Sequence, residues 1–327
     1  MNKKKKKVSY AKYGYIFSLP FVLTFLIFTL YPIIYTVVIG FTDLKGIGNV
    51  NMHFLEDPLQ NYKAILSAPT FTEALKNTFR LWICNFIPQI LLALLLASLF
   101  TNTRHKIRGQ GFFKVVFYMP NIITAATVAI LFGALFGYPM GPVNDLLTSV
   151  GFLKEPFYFL NNKTAARGII AFIQFWMWYG YTMIILVSGI LGISPEIYES
   201  ADIDGANDIK KFFYITLPNL RTVLIYTLVT SLIGGLQMFD IPYLLVSKCG
   251  PDNATLTTSC FIYNQAFSGS YLYNRASAAS IIMFLIIAVL SAIVFFLMRD
   301  KDEIEERKIE KRAAKAWKKQ QKEGGMS

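Results

Sequence analysis

The chain has 327 residues, of which 54% are hydrophobic and only 16% charged. A soluble domain carries about 25% charge, so an ordinary soluble fold is excluded. The formal net charge of +12 invites a nucleic-acid reading, but the placement of the charges along the chain argues against it.

Six stretches contain no charged residue: 13–42, 81–103, 115–144, 168–195, 222–239 and 276–298. A helix that crosses a bilayer needs about 20 apolar residues. Each stretch is therefore a predicted span, and the predicted fold class is all-α, a polytopic membrane protein with six transmembrane helices. The fifth is the shortest, which puts Asp240 near a membrane face or inside a protein cavity.

Residues 1–12 are basic and lead into the first apolar run, as in a signal peptide. The run is too long for that, and no small-residue cleavage site follows it, so it is expected to be a retained first span. With the N-terminus in the cytoplasm, the inside segments hold 23 of the 32 Lys and Arg and the outside segments 9. That asymmetry follows the positive-inside rule with both termini cytoplasmic, and the basic run at 3–7 is placed to touch anionic lipid.

In chain order, span one carries Pro20 and Pro32, which kink a membrane helix and call for packing against protein. The loop 43–76 is external, and its His53 reads as a surface residue. Span two holds Pro88, Gln89 and Cys84, the last read as a small core residue. A short basic internal turn at 104–114 leads to span three, with Pro120 and Asn121 near its start. The external segment 138–167 has the Gly and Pro breaks of a folded cap. Span four carries Gln174, Trp176, Trp178, Tyr179 and Tyr181. Span five contains Gly234, Gly235, Gln237, Asp240 and Pro242. The outer loop 247–275 holds Cys249 and Cys260, which leaves a disulfide open, since spacing alone does not decide it. Span six starts with small residues that allow close helix approach. The tail 299–327 mixes charges, with Glu303 and Arg307 at a helical salt-bridge spacing, and reads as a solvated cytoplasmic helix. The expected domains are thus a basic terminus at 1–12, a membrane domain at 13–298 and a charged tail at 299–327.

No Walker A motif, HExxH, CxxC or G-x-S-x-G occurs, and there are two histidines in all. No residue is predicted to be catalytic or to bind a metal. Energy for any work must come from an ion gradient or from a partner.

Between spans four and five lies the polar, acid-rich stretch 195–218. Ser194 and Pro195 suit a helix start, Gly205 interrupts, and a second short helix is expected from about 207 to 216, closed by Pro218. Within it, Glu199, Ser200 and Ala201 are followed after three residues by Gly205, and after nine more by Ile215-x-Leu217-Pro218. This spacing resembles the EAA signature of bacterial ABC import permeases, with Ser200 where the family has Ala. The likeness runs from about 10 to 298. LPFVLTFLIFTLYPIIYTVVIGFTDL resembles the first span of maltose-type carbohydrate permeases, and GGLQMFDIPYLLVSKCGPDNATLTT their fifth span and following loop. There the family usually has Thr-Gly-Gly-Gly-Pro, against Ser247-Lys248-Cys249-Gly250-Pro251 here.

The resemblance implies a type I importer permease that moves a carbohydrate by alternating access. It pairs with a second permease subunit, a cytoplasmic ATPase dimer and an extracellular solute-binding protein. No cofactor belongs to the permease itself; ATP and magnesium are held by the ATPase. It further implies that Glu199, Ser200, Ala201, Asp204, Gly205, Ala206, Leu217 and Pro218 form the ATPase-coupling element. Glu199 would meet a basic group of the ATPase and Gly205 would supply the turn.

Polar groups inside spans are costly, so they are functional candidates. Gln174, Trp178 and Tyr181 fall on one face at i, i+4 and i+7, and Trp176 occupies the position where the family has Trp. Gln237 and Asp240 are expected to share a helix face, flanked by Phe239 and Tyr243. Aromatic platforms with amides and carboxylates suit a sugar's apolar faces and hydroxyl edges. The same Trp and Tyr also fit an interfacial aromatic belt. A secondary transporter, or a permease for a non-sugar solute such as glycerol phosphate, remains the alternative; ion coupling would want ionisable groups in several spans.

Overall fold

The computed structural model describes residues 11–49, 51–102, 107–246, 249–269 and 271–298, with Ile309 and Ala313. The basic run at 3–7, Arg104, Ser247, Lys248, the Glu303 and Arg307 pair and nearly all of the tail lie outside the described residues. Among the described residues, five helices are long and apolar enough to cross a membrane: Lys12–Ile39, Pro69–Thr101, Lys163–Leu191, Arg221–Leu245 and Tyr273–Met298. A sixth crossing exists if the bent pair Gln110–Ile122 and Ala125–Leu135 counts as one span.

That pair departs from the expected continuous third span, since its halves meet at 90°. Pro120 removes a backbone donor near the end of the first half. Ile123 is extended (φ −73°, ψ 134°). The Thr124 hydroxyl then accepts from the Thr127 N–H at 3.3 Å and starts a new helix.

Span one also differs from expectation. Only 6% of its most apolar stretch is buried, so its prolines are not compensated by packing against this chain. The helix widens instead. Residues Leu26–Leu30 form a π turn, and the Tyr31 N–H returns to the Leu26 carbonyl just before Pro32. The wider turn relieves the clash of the proline ring with the carbonyl four residues back. Thr24 and Thr36 donate to the carbonyls of Pro20 and Pro32 at 2.8 Å, which keeps their hydroxyls satisfied in an apolar setting.

By backbone contact the chain divides into two compact units, 1–80 with 129–167 and 237–286, and 81–128 with 168–236 and 287–327. The first unit gathers the long connecting segments 43–68, 138–162 and 249–272, and polar cross-links hold it. The Asn61 amide donates to the carbonyls of Gly40 and Thr42 and accepts from Asn274. Asn144 binds the carbonyls of Gly137 and Phe157 and the N–H of Phe157. Arg167 donates to the Ala254 carbonyl and to Asn77. These side chains occupy backbone groups that would otherwise be buried without partners. Beneath them lies an apolar core that includes Ile65, Phe71, Leu256, Phe261 and Ile282. Cys249 and Cys260 sit in this core as free buried thiols, so the open disulfide is not formed. A hydrogen bond with Cys260, then burial, pushes the Cys249 thiol well above its usual range.

The second unit is built on close helix approach. Span four is its spine, with 56% of its most apolar stretch buried. A Cβ on Gly180 would collide with the backbone of Phe117, and one on Gly189 with Leu220 and Val223. Gly235 is covered in the same way by the Trp82 ring. Its core joins Ala93, Ala97 and Phe100 of span two to Met183, Leu186 and Ile190 of span four. The buried Gln89 donates to Thr182 at 2.7 Å. Cys84, expected in the core, is exposed instead. It shares an outward face of span two with Ile87 and Leu91, which are also exposed.

Candidate functional site

The stretch 195–218 folds as a helix, a glycine turn and a second helix, all in the second unit. The first helix is Pro195–Ile203 with Pro195 in its first turn. Ser194 holds the N-cap position, but its hydroxyl makes no cap bond. The helix ends in a Schellman arrangement. The Gly205 N–H bonds the Asp202 carbonyl at 3.1 Å, and the Ala206 N–H bonds the Ala201 carbonyl at 2.9 Å. Gly205 has φ +73°, the left-handed region that an L side chain enters at a cost. Nothing lies within 4 Å of a Cβ placed there, so conformation alone sets this requirement.

The second helix begins with Asp208–Lys211, capped by the Asn207 side chain, which accepts from the Lys210 N–H at 2.8 Å. It does not close at Pro218 as expected. It widens into a π turn, Phe212–Thr216, and continues through Leu217–Asn219. The Leu217 N–H returns to the Phe212 carbonyl. This is the arrangement seen before Pro32, again one residue ahead of a proline. The Asn219 amide donates to the Ile215 carbonyl at 2.7 Å.

Of the predicted coupling residues, Glu199, Ser200, Asp204, Gly205 and Pro218 are exposed, while Ala201, Ala206 and Leu217 are half-buried. The Ser200 hydroxyl donates to the Glu196 carbonyl of its own helix at 2.9 Å, so the hydroxyl is spent locally. The pair presents large uncovered side chains, with Ile203 87% and Tyr214 81% exposed. The two helices are pinned to each other by the hydroxyls of Tyr198 and Thr216, 2.9 Å apart.

The predicted solute residues divide between the two units. In the second unit, Gln174, Trp176 and Tyr181 are half-buried and Trp178 is exposed on the unbroken span four. The Trp178 and Tyr181 rings meet edge to face at 5.8 Å. In the first unit, Gln237 and Asp240 are exposed. They do not share a helix face. Span five breaks between Leu236 and Asp240, so Gln237 lies in the break and Asp240 starts a new helix, Asp240–Leu245. The Met238 carbonyl freed there accepts from the Thr257 hydroxyl at 2.8 Å. Phe239 and Tyr243 stack at 4.9 Å. Tyr263 completes a triad at 5.1 and 5.0 Å from them. Tyr263 escaped the sequence reading because it lies in a segment taken as loop, which folds as the helix Thr258–Phe267.

Four further residues join the coupling region without belonging to its sequence pattern. They are Asn102, Asp202, Asp208 and Lys211, which with Tyr198 and Glu199 line a cavity of about 250 Å³.

Comparison with known proteins gives one family. Residues 71–300 match the family described as binding-protein-dependent transport system inner membrane component. The chain is 32% identical over 289 residues to the lactose transport system permease protein LacF of Rhizobium radiobacter, covering 88% of this chain and 94% of that one. It is 35% identical over 283 residues to the arabinooligosaccharides transport system permease protein AraP of Bacillus subtilis, covering 85% and 86%. Among solved structures, a bacterial ABC transporter involved in the import of the acidic polysaccharide alginate superposes with a TM-score of 0.72 at 25% identity, over 87% of this chain and 94% of that one. The alginate transporter bound to a pentasaccharide-loaded periplasmic protein gives a TM-score of 0.71 at 26% identity, over 87% and 93%.

Proposed function

The chain belongs to the family of binding-protein-dependent transport system inner membrane components, and from that membership we propose that it is the permease of an ATP-driven importer whose solute is a carbohydrate, an oligosaccharide above all. The observation that carries the reading is the helix pair at 195–219. Its Schellman-capped glycine turn and exposed Ile203 and Tyr214 form a firm apolar knob suited to a cleft in another protein. Such a knob can pass the closure of an ATPase to membrane helices as rigid-body motion. The partners are a second permease subunit, a pair of cytoplasmic ATPases that hold ATP and magnesium, and an external solute-binding protein. Lactose and arabinooligosaccharides in the names of relatives, and alginate in the solved neighbours, support a saccharide as solute. Gln237, Phe239, Asp240 and Tyr243, with Gln174, Trp176, Trp178 and Tyr181, are the proposed contacts.

The complete complex in proteoliposomes, with its binding protein, tests this. Solute should stimulate ATP hydrolysis, and uptake should follow. Gly205→Val places a β-branched residue in the left-handed region, a strain of about 1–2 kcal/mol. It should reduce solute moved per ATP by about tenfold while the protein still inserts, and Glu199→Ala should do so more weakly. Normal stimulation and uptake in both variants would sink the coupling assignment.

Both termini are proposed to be cytoplasmic, on the strength of the Lys and Arg asymmetry. In a Cys84→Ser background, Ile309→Cys should resist a membrane-impermeant maleimide on intact cells; strong labelling would reverse the topology.

A further inference from the structure

The importer pattern assigns no role to Lys211, yet Lys211 is the one residue of the helix 208–211 that is buried, at 8% exposure. Its Nζ lies 2.6 Å from Asp202 Oδ1 and 3.6 Å from Asp208 Oδ1. Asp202 is in the last turn of the first helix, and Asp208 opens the second. Asp208 Oδ2 in turn accepts from Asn102 Nδ2 at 3.0 Å. Asn102 follows directly on span two, whose last helical residue is Thr101. A single ammonium therefore bridges the Gly205 turn, and through Asp208 it ties the helix pair to the end of a membrane helix.

We propose that Lys211 is a positioning residue for energy coupling, which makes the helix pair and the end of span two move as one body; this rests on the importer reading. The pair departs from regular α-helix at two places, the glycine turn at 205 and the π turn Phe212–Thr216. Force applied at the exposed Ile203 and Tyr214 would load the first of these, which the Tyr198 and Thr216 hydroxyl contact and the Lys211 ammonium both span. The ammonium does so from within, with one partner on each side of the turn. Its removal takes away the ammonium that joins Asp202 on one side of the turn to Asp208 on the other. The geometry also explains why a short cationic strut serves here. The site is reached by a Lys stem that packs its methylenes inward and places one charge between two carboxylates.

The test is the ratio of solute transported to ATP hydrolysed, in the reconstituted complex with its binding protein. Lys211→Met keeps the length of the side chain and removes the charge. It should assemble and keep solute-stimulated hydrolysis, with the apparent KM for solute unchanged, while solute moved per ATP falls about fivefold or more. Lys211→Arg should restore most of that ratio, which a purely packing role would not require. Asp202→Asn should lower the ratio in the same direction. If Lys211→Met fails to accumulate in the membrane, Asp202→Asn decides alone, since it changes charge and hardly any volume. A wild-type ratio in Lys211→Met, or in Asp202→Asn where it stands alone, overturns the proposal, and so does a lowered ratio that Lys211→Arg leaves unrestored. A wild-type complex that shows no solute-stimulated hydrolysis overturns the importer reading itself, and the coupling role with it.

Discussion

Spans four and five both carry proposed solute contacts, and they are built in opposite ways. Span four is one unbroken helix of 29 residues with more than half of its most apolar stretch buried. Its Gly180 and Gly189 seat neighbouring backbone and side chains directly against it, while Gly168 meets nothing within 4 Å. Span five is buried over 22% of its window and is interrupted between Leu236 and Asp240. One glycine there, Gly235, serves packing against Trp82, while Gly234 meets nothing within 4 Å. The difference separates two uses of small and polar residues in a membrane. In span four, polar side chains are carried on a rigid rod whose shape is fixed by contact. In span five, backbone is released from the helix, and irregular backbone inside a membrane protein survives only where protein or water satisfies it. Thr257 does so for Met238. A rod suits the transmission of motion, and a break with Asp240 at its rim suits the recognition of a polar solute.

Perturbing each span in turn tests this contrast. The largest effect is expected at Gly180. A side chain there must displace the backbone at Phe117, which is not a flexible group. Overpacking a tight core costs about 1–3 kcal/mol and sometimes more. Gly180→Leu should therefore abolish recovery of monodisperse protein from detergent extracts, and a thermal midpoint equal to wild type would show that span four is not a fixed rod. The smaller effect is expected at Asp240, which is exposed and starts a helix. Asp240→Ala should leave basal ATP hydrolysis and yield intact and raise the apparent KM for uptake by several-fold. Unchanged uptake kinetics would remove Asp240 from the solute contacts and weaken the reading of the break as a recognition site.

The spans were legible because a bilayer imposes a composition: a run without charge is a strong signal, and the helices Pro69–Thr101, Lys163–Leu191 and Tyr273–Met298 contain the charge-free runs expected of them, apart from residues 102 and 103 and 192–195 at two C-terminal ends. Gly205 was legible for a similar reason, since a positive φ restricts residue choice at a single position. The two breaks were not. Pro120 and Thr124 in one case, and Gly234 to Phe239 in the other, are compatible with a continuous or kinked helix, and tertiary partners decide between them. The Lys211 strut left as its local trace only the i,i+3 spacing of Asp208 and Lys211. Asp202 and Lys211 are nine residues apart on either side of a turn, so no helical period links them, and Asn102 is distant in sequence. Such a site exists only once the chain has folded.

The π turns before Pro32 and Pro218 also change what a sequence spacing means. An α-helix advances by about 100° per residue, and a π turn holds one more residue in its circuit. Counting through Phe212–Thr216 at the α rate assigns the residues beyond it to the wrong side by about 100°. The nine residues between Gly205 and Ile215 are therefore a length that includes one residue of slack, taken up just where the proline ring needs room. In this part of the chain, residue number and compass direction part company, and helical-wheel projections of the region should be drawn in two pieces.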